Sequence, residues 1–362
     1  MRVLVLSWDV SDPRGGPTPG AAALASALAD HGDRARLITR HPERSTPGTV
    51  PGVEVHAVPD AAPIIPLEVG GHLARVLAFS SRASTAAVRM LEQEAVDVAF
   101  IDGWQPTYAA TAMRSTHEVP LVANITASWF TRRGPHLDDD GTLLHQIEWW
   151  LSYEARRIVS ATPDGVADLA RVLQIPATKL AVLPMPMEVP TTSPTPPKPD
   201  GPVLVVPPAD TNDRAYLLAV RRHLADPPRL TTTWRSRPAA AVVLDDAGHH
   251  LAVRALASGV PLAVLDQPGL AGLVLDHATG RLVPVRDPEA VAEAIDTMRS
   301  SPDSGRAMAM HAVAQARITN DPETVVAQFR DIARDAMAAE SGLQVAASPG
   351  RLRPVPPPGA SI

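Results

Sequence analysis

Short apolar runs alternate with longer stretches of helical periodicity through the first half of the chain. Residues 3–7 read as a strand, 21–31 as a helix, and 35–39 and 53–58 as two further strands. The rhythm continues with a helix over 73–94, a strand over 96–102, a helix over 107–115 and a strand over 121–126. Asp97-Val98-Ala99-Phe100-Ile101-Asp102 is almost continuously apolar, as expected of a parallel strand covered on both faces. A helix over 143–156 then runs into a strand at 157–161, and Thr162-Pro163-Asp164 supplies a cap for a helix over 163–173 before a strand at 180–184. Repeated strand and helix units of this kind predict an α/β chain with a doubly wound parallel sheet.

Residues 188–202 are rich in Pro, Thr and Ser and lack periodicity, which marks a linker between a first domain, 1–187, and a second, 203–340. The second domain opens on the strand Val203-Leu204-Val205-Val206. Strands at 239–244 and 261–265, helices at 250–257 and 288–299, a helical turn near 270–275 and a long helix over 321–340 follow. That last helix is expected to pack back across the linker. Only about 30 residues separate Val206 from the strand at 239–244, room for one helix and one short strand near 230–234, so this domain reads as shortened. Residues 341–362 return to Pro and Gly without an apolar pattern and read as a disordered tail; Arg351, Arg353 and Pro354 to Pro358 give it the composition of a docking segment or a solvated linker.

Composition removes several classes of function. The chain of 362 residues carries a net charge of −6, which argues against nucleic acid as a partner. It has no cysteine, so disulfides, thiolate nucleophiles and cysteine-held metals are excluded. The apolar run at the N-terminus is too short for a secretion signal, and no stretch approaches the roughly 20 residues of a transmembrane segment, so a cytoplasmic location is expected. Aromatic residues make up 4% of the chain, which leaves packing to Ala, Val and Leu.

Several segments carry a family likeness. They include Asp12-Pro13-Arg14-Gly15-Gly16 with the Ala-rich helix after it, Asp97 through Trp104, Val119-Pro120-Leu121-Val122-Ala123, Glu148 through Thr162, and Ile175 through Pro184. In the second half they include Ala255-Leu256-Ala257-Ser258-Gly259-Val260-Pro261, Pro268-Gly269-Leu270 and Thr279-Gly280-Arg281-Leu282-Val283-Pro284. In this order and spacing the chain resembles retaining glycosyltransferases of family 4, nearest the glycogen-synthase-like, α-glucan branch. The resemblance implies an α/β, GT-B-like fold of two facing Rossmann-like domains, the C-terminal one shortened, with a nucleotide-sugar cleft between them. It implies no resident cofactor or metal, and a nucleotide sugar as the ligand.

At the positions where the family does its chemistry this chain departs from it. Sugar transfer from a nucleoside diphosphate needs positive charge on the departing diphosphate. The family's Arg and Lys after the first strand of the second domain correspond to Pro208 and Asp213, leaving Arg214 as the adjacent cation. The family's pair of glutamates corresponds to Asp246 and Arg254, and an arginine accepts no hydrogen bond from a ribose. In the first domain Gly15 and Gly16 survive in the donor-side loop, whereas the histidine after them reads Gly20. Two cleft histidines read Asp102 and Thr126, and the residues after Leu183-Pro184 read Met185 and Pro186. His249-His250 have two readings, an acid–base or metal pair and a polar helix start. Asp138-Asp139-Asp140 reads as a solvated loop or a cation site. Trp104 and Trp129, at strand ends, are acceptor-side candidates for stacking on a sugar, or pack the domain interface.

The catalytic candidates are thus Asp102 and Asp246, and the donor-side candidates Arg214, Arg254, Gly15 and Gly16. One reading is a member with eroded donor and catalytic motifs, a pseudo-glycosyltransferase that partners an active glycosyltransferase or senses a glycan. The alternative is an active glycosyltransferase moving a hexose from a nucleotide sugar to a glucan or small acceptor through rearranged residues. A third reading is a nucleotide-independent hydrolase or sugar-phosphate enzyme on the same fold.

Overall fold

The computed structural model describes residues 1–8, 20–41, 50–59, 71–133, 139–190, 201–208, 211–245, 248–284, 286–300 and 302–347. The early apolar runs form β1 (Arg2–Ser7), β2 (Arg34–His41), β3 (Glu54–Pro59), β4 (Val98–Asp102), β5 (Leu121–Asn124), β6 (Arg157–Ser160) and β7 (Leu180–Val182). All pair in parallel in the order β3-β2-β1-β4-β5-β6-β7. Between them run α1 (Gly20–Asp30), α2 (Gly71–Gln93), α3 (Thr107–His117), α4 (Trp129–Arg133), α5 (Asp139–Glu154) and α6 (Pro163–Val172). Side chains alternate along β1, so Leu4 and Leu6 join one core with α2, α3 and α5, while Val3 and Val5 join the other with α1. The predicted cap at Thr162 forms: its hydroxyl accepts from the Gly165 amide at 3.1 Å.

The second sheet contains β8 (Val203–Val206), β9 (Leu230–Thr231), β10 (Ala240–Val243), β11 (Leu262–Leu265) and β12 (Arg281–Val283), parallel in the order β12-β11-β10-β8-β9. Its helices are α7 (Asp213–His223), α8 (His249–Ala257), α9 (Pro288–Ser300) and α10 (Pro302–Thr319). Among the described residues only α7 and the two-residue β9 lie between β8 and β10, the short interval expected from the sequence.

The last helix, α11 (Pro322–Ala347), returns to the first sheet. Val325, Val326, Phe329, Ile332, Ala333 and Ala336 fall on one face and pack against α1 and the sheet, with the Phe329 ring edge-on to Phe100 at 5.8 Å. Burial of each of the four larger side chains contributes about 1.5–3 kcal/mol. Charged groups also hold the helix, midway along this face and beyond its end: Arg330 reaches Asp33 at 2.9 Å, and Arg156 donates to Glu340 at 3.0 Å. The return crossing runs beside the outgoing one. Asn320 Nδ2 donates to the Met185 carbonyl, and the Met187 amide donates to the Asn320 carbonyl, both at 2.8 Å.

The helix at 321–340 packs back across the linker as expected and fills a core of the first domain, because its apolar face matches the surface left open between α1 and the sheet. Other expectations need correction. The same helix runs on to Ala347, into the tail expected from 341, since Ser341 and Gly342 do not stop a helix already held by Glu340. Asp139 and Asp140 open α5 rather than lying in a loop. Helices α4 and α10 had no counterpart in the sequence reading. Asp138, linker residues 191–200 and tail residues 348–362 lie outside the described residues.

If α11 is a core element of the first domain, Phe329→Ala costs about 3–5 kcal/mol and lowers the thermal unfolding midpoint by several degrees. An unchanged midpoint in a melting experiment contradicts this placement.

Candidate site in the interdomain cleft

The carboxyl ends of both sheets face each other, and a cavity of about 150 Å³ lies between them. The first domain contributes Asp102, Asn124 and Thr126 from the ends of β4 and β5, with Gly20 and Leu24 from α1. The outgoing crossing contributes Pro184, Met185 and Pro186, and the second domain contributes His249 and His250. This is where ligands gather in open α/β sheets, at the point where strand order reverses: β1 lies between β2 and β4, and β8 between β9 and β10.

Asp102 ties three strand ends together. Its carboxylate accepts from Ser7 Oγ at the end of β1 at 2.9 Å, and from Asn124 Nδ2 at the end of β5 at 2.8 Å. The loop after β5 is held by two buried acids. Asp168 accepts from the Ser128 amide at 2.9 Å and from Thr131 Oγ1 at 2.6 Å. Glu148 accepts from the Trp129 amide and from Arg132, both at 2.6 Å. Burial pushes the Glu148 carboxyl above its ordinary range, with Arg132 opposing. Across the cleft, Arg286 donates to the Arg132 carbonyl at 2.9 Å and to Gln267 at 3.2 Å, which links the second domain to this loop.

On the other wall Gly248 sits where a Cβ would come within 2.9 Å of both Val243 and Val206, so only glycine lets the loop lie against the ends of β10 and β8. That approach sets His249 and His250 at the start of α8, facing the cavity. His249 Nε2 is buried with no hydrogen-bond partner among the described residues. Burial, helped by the neighbouring His250, pushes its pKa down to about 4, so the ring is neutral at pH 7. Among the described residues no group of three His, Cys, Asp or Glu side chains is arranged to hold a metal ion.

The structure brings only part of the expected set together. Asp102 lines the cavity. Arg214 is exposed on α7, in a separate groove with Arg221 and Arg229. Arg254 stacks its guanidinium 4.5 Å above the Trp234 ring, and burial pushes its pKa down. Neither arginine lines the cavity. Trp104 is buried in the core of the first domain, and Trp129 packs against the same core with Arg132 5.1 Å over its ring, so neither indole lines the cavity. Asp246, Gly15 and Gly16 lie outside the described residues. Sequence reasoning missed Glu148 and Asp168; an acid beside Ile147 and Leu151 on an apolar helix face was the available signal for the first.

Residues 15–186 match the model of the glycosyl transferase 4-like domain. No curated protein matches the chain in sequence. Sucrose-phosphate synthase from Thermosynechococcus elongatus superposes with a TM-score of 0.70 at 15% identity, over 93% of this chain and 99% of that one. HepE from Anabaena, in complex with UDP and glucose, superposes with a TM-score of 0.63 at 14% identity, over 91% and 98%. The first domain thus carries a glycosyl transferase 4-like domain, and the overall fold is that of GT-B glycosyltransferases.

The neutral histidine has a measurable consequence. With a folded pKa near 4 against about 6.5 when unfolded, the unfolded chain binds the extra proton first as pH falls. The stability associated with His249 is fully present above about pH 6.5, and about 3 kcal/mol of it is lost as pH falls toward 4. Urea unfolding at pH 7 and pH 4.5 should show a smaller loss in His249→Gln than in the wild type; equal losses would contradict the buried neutral ring.

Proposed function

We propose that this protein is a pseudo-glycosyltransferase, a GT-B-fold partner or sugar sensor that does not transfer sugar from a nucleotide donor. The observation that carries this reading is the charge of the cleft: none of the described residues lining the cavity is Lys or Arg. A departing diphosphate carries its charge into the transition state, and without a cation or a comparable array of donors that charge is left unstabilised. At the positions the family resemblance assigns to the Arg and Lys, Pro208 is buried and apolar, and Asp213 adds a carboxylate at the start of α7. The cavity of about 150 Å³ is also small; sites for small-molecule ligands span roughly 300–1,000 Å³. HepE was crystallised with UDP and glucose; in this chain a neutral imidazole and the Met185-Pro186 segment line the facing cavity.

One feature favours the alternative, an active hexosyltransferase. The Asp102 carboxylate lines the same cavity as His249 and His250, a pairing able to hold sugar hydroxyls or a proton. Incubation with UDP-glucose, ADP-glucose or GDP-mannose and a glucan acceptor separates the two readings. Release of nucleoside diphosphate should stay at the level of the protein-free blank, and the triple variant Pro208→Arg, Asp213→Lys, Arg254→Glu should not raise it. Release by the wild type that disappears in Asp102→Asn would overturn the proposal.

A further inference from the structure

The two sheets begin alike and differ at one edge. The units β1-α1-β2 and β8-α7-β9 follow the same path, each placing its second strand beside its first and away from β4 or β10. In the first sheet β3 pairs outside β2, and the chain leading into β3 covers α1. Ser26 Oγ donates to the Pro51 carbonyl at 3.3 Å, Val50 is buried in the same core as α1, and a Cβ on Gly52 would lie 3.2 Å from that of Ala29. In the second sheet no strand lies outside β9 among the described residues. Thr231 ends that strand, its Oγ1 accepting from the Thr233 amide at 3.1 Å, and the next strand is β10.

The flank of α7 is correspondingly open. When the buried pair Leu24 and Leu28 of α1 is matched to Tyr216 and Val220 of α7, the covered positions Ser26 and Ala29 fall on Leu218 and Arg221. Here they line a groove of about 510 Å³ between α7 and the chain entering β9. Leu218 is 49% exposed, and Leu217 and Leu230 are partly buried beside it. Arg214, Arg221 and Arg229 also line it, all exposed and none paired with a carboxylate among the described residues. Asp213, at the start of α7, is the one acid in the lining. Three unpaired guanidiniums around exposed leucines stand out on a chain of net charge −6.

We propose that this groove docks an extended, acidic segment of a partner protein, its carboxylates on the three arginines and its apolar side chains on the leucines. Charge complementarity selects the occupant: guanidiniums bond carboxylates in pairs, and leucines favour aliphatic partners. Its form follows from the first domain, where extended chain fills the matching place on α1. A second copy meeting edge to edge would set three arginines against three. A flat lipid surface would leave the floor of a concave groove empty. The groove shares no lining residue with the interdomain cavity, so this inference is independent of whether the cleft transfers sugar.

A display library of random peptides of about twelve residues, selected on the full chain, tests the proposal. The enriched peptides should carry Asp or Glu interspersed with aliphatic residues. In fluorescence anisotropy their affinity should fall about tenfold in Arg221→Glu/Arg229→Glu through loss of two exposed charge pairs. It should fall severalfold in Leu218→Ser, and both variants should keep the wild-type thermal midpoint because the replaced side chains are exposed. Enriched peptides without acidic bias, or equal affinity in wild type and both variants, would overturn the proposal. So would failure to enrich any peptide alongside binding to phosphatidylserine vesicles that the arginine variant abolishes, in favour of a membrane. A dimer in sedimentation that the same variant dissociates would overturn it in favour of a second copy.

Discussion

Everything in the cleft depends on how the chain crosses between the two sheets. It crosses once outward near Met185 and once back near Asn320, and the two strands of the crossing are bonded to each other by a pair of 2.8 Å hydrogen bonds. The return works as a tie because α11 buries a full apolar face in the first domain. A buried amide that satisfies a buried carbonyl contributes modestly when made and costs about 1–3 kcal/mol when broken. The same Met185 that accepts this bond lines the cavity, so the floor of the cleft is fixed by the element that joins the domains.

That constraint explains the chemistry of the site. Above a fixed floor, the walls are set by Asp102, clamped between three strand ends, and by His249, held through the close approach of Gly248 to two strands. The loop after β5 is fastened by Asp168 and Glu148, and Arg286 reaches it from the other domain. The result is a small space whose described lining residues include one carboxylate, Asp102, and two imidazoles, His249 and His250. The arginines named from the sequence are used elsewhere, one on an outer groove and one over a tryptophan. A GT-B fold thus coexists with a cavity whose described lining residues include no Lys or Arg.

Much of the fold was legible because the signals were local. The apolar run ending at Asp102 and the helix-to-strand passage into Thr162 follow directly from periodicity and capping. Helix α10 was not legible: its buried positions are filled by Met308, Ala309, Ala312, Val313 and Ala316, mostly small side chains that give little contrast with their neighbours. The period of α11 announced a helix but not the sheet that receives it, which long-range packing decides. Within the site, Asp102 was legible from its place at a strand end. The tryptophans were not, because the direction of a ring is fixed by the core it enters. A buried acid such as Asp168 looks in sequence like any exposed one.

The most direct measurement is calorimetric titration of the full chain with UDP-glucose, ADP-glucose and GDP-mannose, with UDP, ADP and GDP alongside. A cleft without cations on the described cavity wall predicts no saturable heat for any of them at millimolar ligand. Saturable binding of a nucleotide sugar and of its free nucleotide would show a functioning donor site and contradict the account.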